Sequence, residues 1–212
     1  MLILPVFLAV TADEALDRVQ QVYDNTQDLK ASFKQVWESA AHGQRRTAYG
    51  YVYLKRPGRM RWNYSRPDRK SIVSDGETLW VYEEEDGQVF RQDLKEAGLP
   101  TAVAFLTGEA GAKLREQFVA SVEEDGAIHG GPDQAVLRLT PRVPTSQYAY
   151  LLFVVDTTEW LVRESIVVDQ QDGRNRISFW DIRRNTRVPE SRFRFVPPAA
   201  VNVIDPSSLA PK

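Results

Sequence analysis

The chain has no cysteine, which removes disulfides, thiol catalysis and thiolate metal sites and leaves the redox compartment open. Histidine is almost as scarce. His42 and His129 each stand beside a glycine in a turn-like stretch, with no His-x-x-x-His or His-Glu-x-x-His spacing to supply further metal ligands, so both read as solvated loop imidazoles. A Gly-x-Ser-x-Gly elbow is missing, and so is any phosphate-cradling glycine-rich loop, which argues against that class of hydrolase and against nucleotide-driven work. Charge of one sign is not in excess: 27 Lys and Arg face 29 Asp and Glu. Local basic runs such as Arg59/Arg61 and Arg183-Arg184 are offset by acidic ones such as Glu83 to Asp86, so no general nucleic-acid surface is expected. Long apolar runs are also absent. The longest, Met1 to Ala12, falls well short of the roughly 20 residues that cross a bilayer.

That first run ends in small residues, Val10-Thr11-Ala12, like the apolar core and cleavage site of an export signal. It carries no Lys or Arg ahead of the apolar stretch and is short for a signal, so a buried first segment is the alternative. The expected division is therefore a signal segment over 1–12 and one domain over 13–212.

What the sequence does contain is alternation. Thr11-Ala12-Asp13-Glu14 has capping-box spacing, and Leu16, Val19 and Tyr23 follow at helical intervals, which predicts a helix over about 13–25. From Leu29 the period becomes two. Leu29, Ala31, Phe33, Gln35 and Trp37 fall on one side, with Ser32, Lys34 and Glu38 on the other. The next run sets Tyr49, Tyr51 and Tyr53 against Val52 and Leu54, and stops at Pro57-Gly58. Short strands are expected over 59–64, 70–74, 78–82 and 88–92, with Asp75-Gly76 as a hairpin signal. Leu99 to Gly108 breaks the pattern: Pro100 near its start, Gly108 at its end, and Leu99, Val103 and Leu106 on one stripe predict a short helix. A second short helix is expected around 112–116. Strands resume over 118–123, 135–140, 147–156, 161–169, 176–184 and 192–195. The run Tyr148 to Val155 is apolar on both faces and should be buried on both.

These runs predict a mainly β fold: one large curved antiparallel sheet of about 10–11 strands, an unclosed half-barrel, with short helices plugging its concave face.

Several segments resemble the family of periplasmic outer-membrane lipoprotein carriers, LolA. They are Ala31-Ser32-Phe33-Lys34-Gln35, Lys55-Arg56-Pro57 through Trp62, Val73 through Tyr82, and the ending Phe193 to Val203. The resemblance implies a non-enzymatic periplasmic chaperone without cofactors. It would shelter the acyl chains of lipoproteins, receive them from an inner-membrane ABC transporter and pass them to an outer-membrane acceptor, as a monomer. It further implies roles for particular positions. Arg56 takes the place of an arginine that holds the lid closed by hydrogen bonds, and Met60 stands where relatives carry a bulky apolar residue in cargo or acceptor contact. Trp62, Trp80 and Tyr82 match family aromatics, for which core packing is the competing role; alternation puts Trp80 and Tyr82 on one face. Val103, Phe105 and Leu106 belong to the lid helix. Two other readings stand beside this one: an envelope-stress sensor on the same half-barrel, and an envelope glycan or lipid hydrolase using paired carboxylates.

Overall fold

The structure is a computed structural model that describes residues 10–41, 43–97, 105, 113–123, 131, 133–199 and 201–205. Helix α1 (Ala12–Asp24) begins where the capping box places it: the Thr11 hydroxyl accepts from the Glu14 amide at 3.2 Å, and the Glu14 carboxylate accepts from the Thr11 amide at 3.0 Å. Hydrogen bonds donated to it by the Thr11 amide and by the Thr11 hydroxyl hold the Glu14 carboxyl below the usual glutamate range. Ala15, Leu16, Val19 and Tyr23 form its buried stripe.

Eleven strands then follow mostly as neighbours, and a twelfth comes from the C-terminal tail: β1 (Asp28–Glu38), β2 (Arg45–Lys55), β3 (Arg59–Arg66), β4 (Lys70–Asp75), β5 (Thr78–Glu83), β6 (Gln88–Asp93), β7 (Phe118–Val122), β8 (Gln134–Pro141), β9 (Tyr150–Asp156), β10 (Val162–Val168), β11 (Arg174–Arg184) and β12 (Asn202–Ile204). A one-turn helix, α2 (Leu114–Gln117), precedes β7. The strands make one sheet in the order β12-β6-β5-β4-β3-β2-β1-β11-β10-β9-β8-β7. Among the described residues β7 and β12 do not pair, so the sheet is unclosed. Every pairing is antiparallel except β12 with β6.

Twelve strands laid flat would span on the order of 50 Å, whereas a helix of 13 residues is about 20 Å long. Yet one continuous apolar cluster joins Leu16, Val19 and Tyr23 of α1 to Leu79 of β5, Trp62 of β3, Leu139 of β8 and Phe118 at the start of β7. Only a sheet curved around the helix brings strands so far apart in order onto the same side chains. The inner face is thereby defined as the one carrying α1.

The run expected to be buried on both faces is so. Leu151, Phe153 and Val155 of β9 join the inner cluster, while Leu152 and Val154 meet Val136, Ile166 and Val168 in a smaller outer one. Tyr150 packs against the outer cluster, and the Arg138 guanidinium lies 3.6 Å from the Tyr150 ring centroid.

The strand expected over 192–195 is absent. A 3-10 turn, Glu190–Phe193, stands there, and the tail continues across the outer face before β12. The cause is a competing donor: Arg61 gives hydrogen bonds to the carbonyls of Arg192 and Arg194 at 3.1 and 3.4 Å, so those groups are satisfied by a side chain rather than a ladder. The predicted helix over 99–108 lies outside the described residues, apart from Phe105.

A candidate lipid-sheltering hollow

Strand register explains how the inner face acquires its lining. Across β1, β2 and β3 the facing sets are Leu29–Leu54–Met60, Ala31–Val52–Trp62 and Phe33–Gly50–Tyr64. Each row puts apolar groups from three adjacent strands about 4.8 Å apart on one side of the sheet. Phe33 is fully buried, edge-on to Trp62 and to Tyr64 with centroids 5.0 Å away in both cases. Gly50 is what lets that ring lie down. A Cβ there would come within 2.8 Å of the Phe33 ring and would run into the Asn63 carbonyl. Phe179 of β11 extends the aromatic set, 6.1 Å from Trp62.

Two pieces fill the space over these rows. One is the apolar stripe of α1. The other is Phe105, wholly buried, with its ring 4.9 Å from Tyr23 and 6.2 Å from Phe153. Helix α1 is tied down along its length. In its first half Arg115 reaches Asp17 at 2.7 Å and Asp13 at 3.7 Å, and past its middle Gln20 accepts from the Leu114 amide at 2.9 Å. At its end Arg56 meets Asp24 at 3.3 Å, and the Asn185 side chain bridges the Gln27 amide and the Asn25 carbonyl.

Polar groups inside are few and neutral. The Tyr23 hydroxyl accepts from the Val162 amide at 3.3 Å, and burial pushes its pKa up to about 12. Burial does the same to Tyr64, again to about 12. Ser74 faces Met60 and Leu79 and accepts from the Gly76 amide at 3.1 Å. A low-dielectric space of this kind favours saturated chains and penalises any ion left inside. Beyond Phe33 the same face continues into a groove of about 710 Å³ lined by Trp37, Ala48, Tyr64, Pro67 and Ile72, with Lys70 and Asp68 at its rim. Trp37 remains 38% exposed there.

The residues expected at the site separate into groups. Met60, Trp62 and Phe105 come together on the inner face, with Arg56 at the end of α1. Trp80 and Tyr82 share a face, as alternation requires, but it is the outer one. They hold Phe195 of the tail, with centroids at 5.7 and 5.9 Å, because Leu79 between two outward residues takes the inward position. Val103 and Leu106 lie outside the described residues. Phe33, Tyr23, Tyr64, Phe153 and Phe179 are site residues that the sequence reading does not assign, although the alternation of Leu29, Ala31 and Phe33 marks that side of β1 and Tyr23 falls on the helical stripe.

Comparison with known proteins agrees with this geometry. The family model for "Outer membrane lipoprotein carrier protein LolA" matches residues 24–196. Among curated relatives, an outer-membrane lipoprotein carrier protein of Methylococcus capsulatus is 29% identical over 188 residues, covering 89% of this chain and 86% of its own. One from Neisseria gonorrhoeae is 28% identical over 203 residues, covering 95% and 92%. Among solved structures, an uncharacterized conserved protein from Thermus thermophilus superposes with a TM-score of 0.57 at 14% identity, over 92% of this chain and 98% of that one. MucB gives 0.52 at 16% identity, over 91% and 65%. At such identities these two likenesses speak for the fold alone.

Proposed function

Because the chain belongs to the outer-membrane lipoprotein carrier family, we propose that it is a periplasmic chaperone that shelters lipoprotein acyl chains beneath α1 and the segment carrying Phe105. In this reading the apolar run ahead of the Thr11 cap directs export, and the monomeric carrier takes cargo from an inner-membrane ABC transporter and yields it to an outer-membrane acceptor. The observation that carries the proposal is the unbroken apolar inner face, filled in this state by the protein's own side chains.

The energetics suit a carrier. Each buried methylene gains roughly 0.8 kcal/mol, so one long chain offers on the order of 10 kcal/mol before costs. Cargo must displace Phe105 and rearrange the apolar stripe of α1, and that self-occupation subtracts from the gross gain. Net affinity falls into a range where an acceptor can win the cargo back. Binding and release are sufficient; no catalytic step is needed. Met60 and Trp62 would contact the chains, and Arg56 would hold the closed state through its contact with Asp24 at the end of α1.

The direct test is to mix the purified protein with a triacylated lipoprotein in detergent-free buffer and follow soluble cargo by mass spectrometry. A stoichiometric soluble complex, released on adding an acceptor, is expected; cargo that precipitates regardless of the protein rejects the proposal. For Arg56→Leu, faster hydrogen exchange over 99–108 is expected, and unchanged exchange removes that residue from the lid. The sensor reading has only a shared fold behind it. The chain spans 86% or more of the carrier relatives above but 65% of MucB.

A further inference from the structure

The outer face of β11, β1, β2 and β3 is where the sheet's cations gather. Lys30 stands across from Arg183 on one side and Tyr53 on the other, and Tyr53 in turn faces Arg61. One row along, Ser32 lies between Trp180 and Tyr51; the next row sets Lys34 beside Tyr49, and Tyr49 beside Arg66. None of Lys30, Lys34 and Arg183 has an ion-pair partner among the described residues, while the guanidiniums of Arg66 and Arg192 lie over the Tyr49 and Tyr53 rings. Burial, and to a lesser degree the nearby Arg192, holds Arg61 below the usual arginine range. Asp181 is the acid of the shallow groove of about 410 Å³ in the middle of this surface. The other acids on it are engaged: Glu164 and Glu38 line the neighbouring groove with Lys34, Glu164 bonded to Ser178 and paired with Arg176 and Glu38 paired with Arg45, and Glu190 of the strap holds Lys55 and Arg59. Tyr51 and Trp180 are 45% and 43% exposed.

Lysine is depleted at the cores of protein–protein interfaces, whereas Trp and Tyr interleaved with Lys and Arg are the composition that settles at an anionic bilayer surface. We propose that this outer face docks on anionic phospholipid: ring hydroxyls and the Trp180 indole sit at headgroup level while Lys30, Lys34 and Arg183 neutralise lipid phosphates. The inner face and its groove lie on the opposite side of the sheet from the lipid in that pose, so docking is independent of acyl-chain sheltering.

The test is co-sedimentation of the protein with vesicles of pure phosphatidylcholine and with vesicles in which a third of the lipid is phosphatidylglycerol, at low salt and at 0.5 M NaCl. Binding to the anionic vesicles only, lost at high salt, is expected. The double reversal Lys30→Glu/Arg183→Glu should lower partitioning by about tenfold or more while leaving lipoprotein solubilisation unchanged. Trp180→Phe should remove the blue shift of indole emission that accompanies binding, a readout that needs no charge change. Equal binding to both vesicle types, no binding at low salt, or a reversal variant that partitions like the parent each overturns the proposal, as does capture of acidic polypeptide in place of vesicles.

Discussion

On β1, Leu29, Ala31 and Phe33 are buried beneath α1, while Lys30, Ser32 and Lys34, each one residue away, sit on the other side of the same strand. Beneath α1 the inner face is apolar, with buried side chains from nine strands joined in one cluster. The outer face is a patchwork: a small apolar cluster under Tyr150, a cationic aromatic field over β1 to β3, and a C-terminal strap over β3 to β5. A one-residue step thus separates two jobs, because pleating sends successive side chains to opposite faces. The inner face supplies most of the stability and, in the proposed function, the binding. The outer face supplies attachment points for the tail and exposed chemistry.

The sharpest way to break this contrast is a matched pair of truncations. Phe33→Ala should lose about 3–5 kcal/mol, since it removes a fully buried ring that contacts two others. Tyr51→Ala, on the neighbouring strand and outward, should stay within about 0.5 kcal/mol. Urea unfolding of both variants decides it; similar losses would mean the outer face is as integral to the fold as the inner.

The next effect comes from a place where the outer strap depends on a buried charge. Asp28 is buried at the start of β1, and its carboxylate accepts from the Thr186 amide at 2.8 Å, the Thr186 hydroxyl at 3.1 Å and the Arg187 amide at 3.0 Å. Asp28→Ala strands those donors and should cost about 2–3 kcal/mol, with early loss of amide protection over 186–195. Loss of protection spread evenly over the whole sheet would instead make the strap part of one cooperative unit.

Phe105→Ala sharpens the comparison from the inside. The ring occupies space that the proposed cargo would use, and burying a phenylalanine is worth roughly 1.5–3 kcal/mol, so its removal should raise affinity for an apolar fluorescent probe about tenfold or more. A probe that binds the parent equally well must sit elsewhere, the groove beside Trp37 being the first place to look.

Much of the fold was legible in the chain itself because it rests on local rules. Capping-box spacing, alternation and the Asp75-Gly76 turn each act within a few residues, and the helix start, the inner side of β1 and the β4–β5 hairpin all follow from them. The assignment of Trp80 and Tyr82 needed one more fact, which of two apolar sides faces α1, and alternation cannot supply it where both sides carry large residues. The tail was misjudged for a longer-range reason. Phe193 and Phe195 alternate like strand residues, but their carbonyl neighbours are claimed by Arg61, more than a hundred positions earlier. Gly50 is the same kind of case: its small size matters only because Phe33 of the adjacent strand lies over it.

The smallest effect concerns the latch on the strap, and its sign can be worked out. Glu190 receives Lys55 and Arg59, each at 2.6 Å, and Lys55 also donates to the Val188 carbonyl at 2.9 Å. Hydrogen bonds from Lys55 and then Arg59 hold the Glu190 carboxyl below its ordinary value of 4.5. A depressed folded-state pKa means that the attachment is fully present above 4.5 and fades as the pH falls through the lower folded value. The carboxylate is exposed, so solvent screens the pair and the effect on global unfolding should be slight. The expected signature is local: faster hydrogen exchange at residues 188–195 on acidification, corrected for intrinsic rates, with α1 and β1 unaffected. Glu190→Gln should show that faster exchange already at neutral pH and no further change on acidification through the same window. If the variant still loosens with acid, another carboxylate governs the strap, and Asp28 becomes the group to examine.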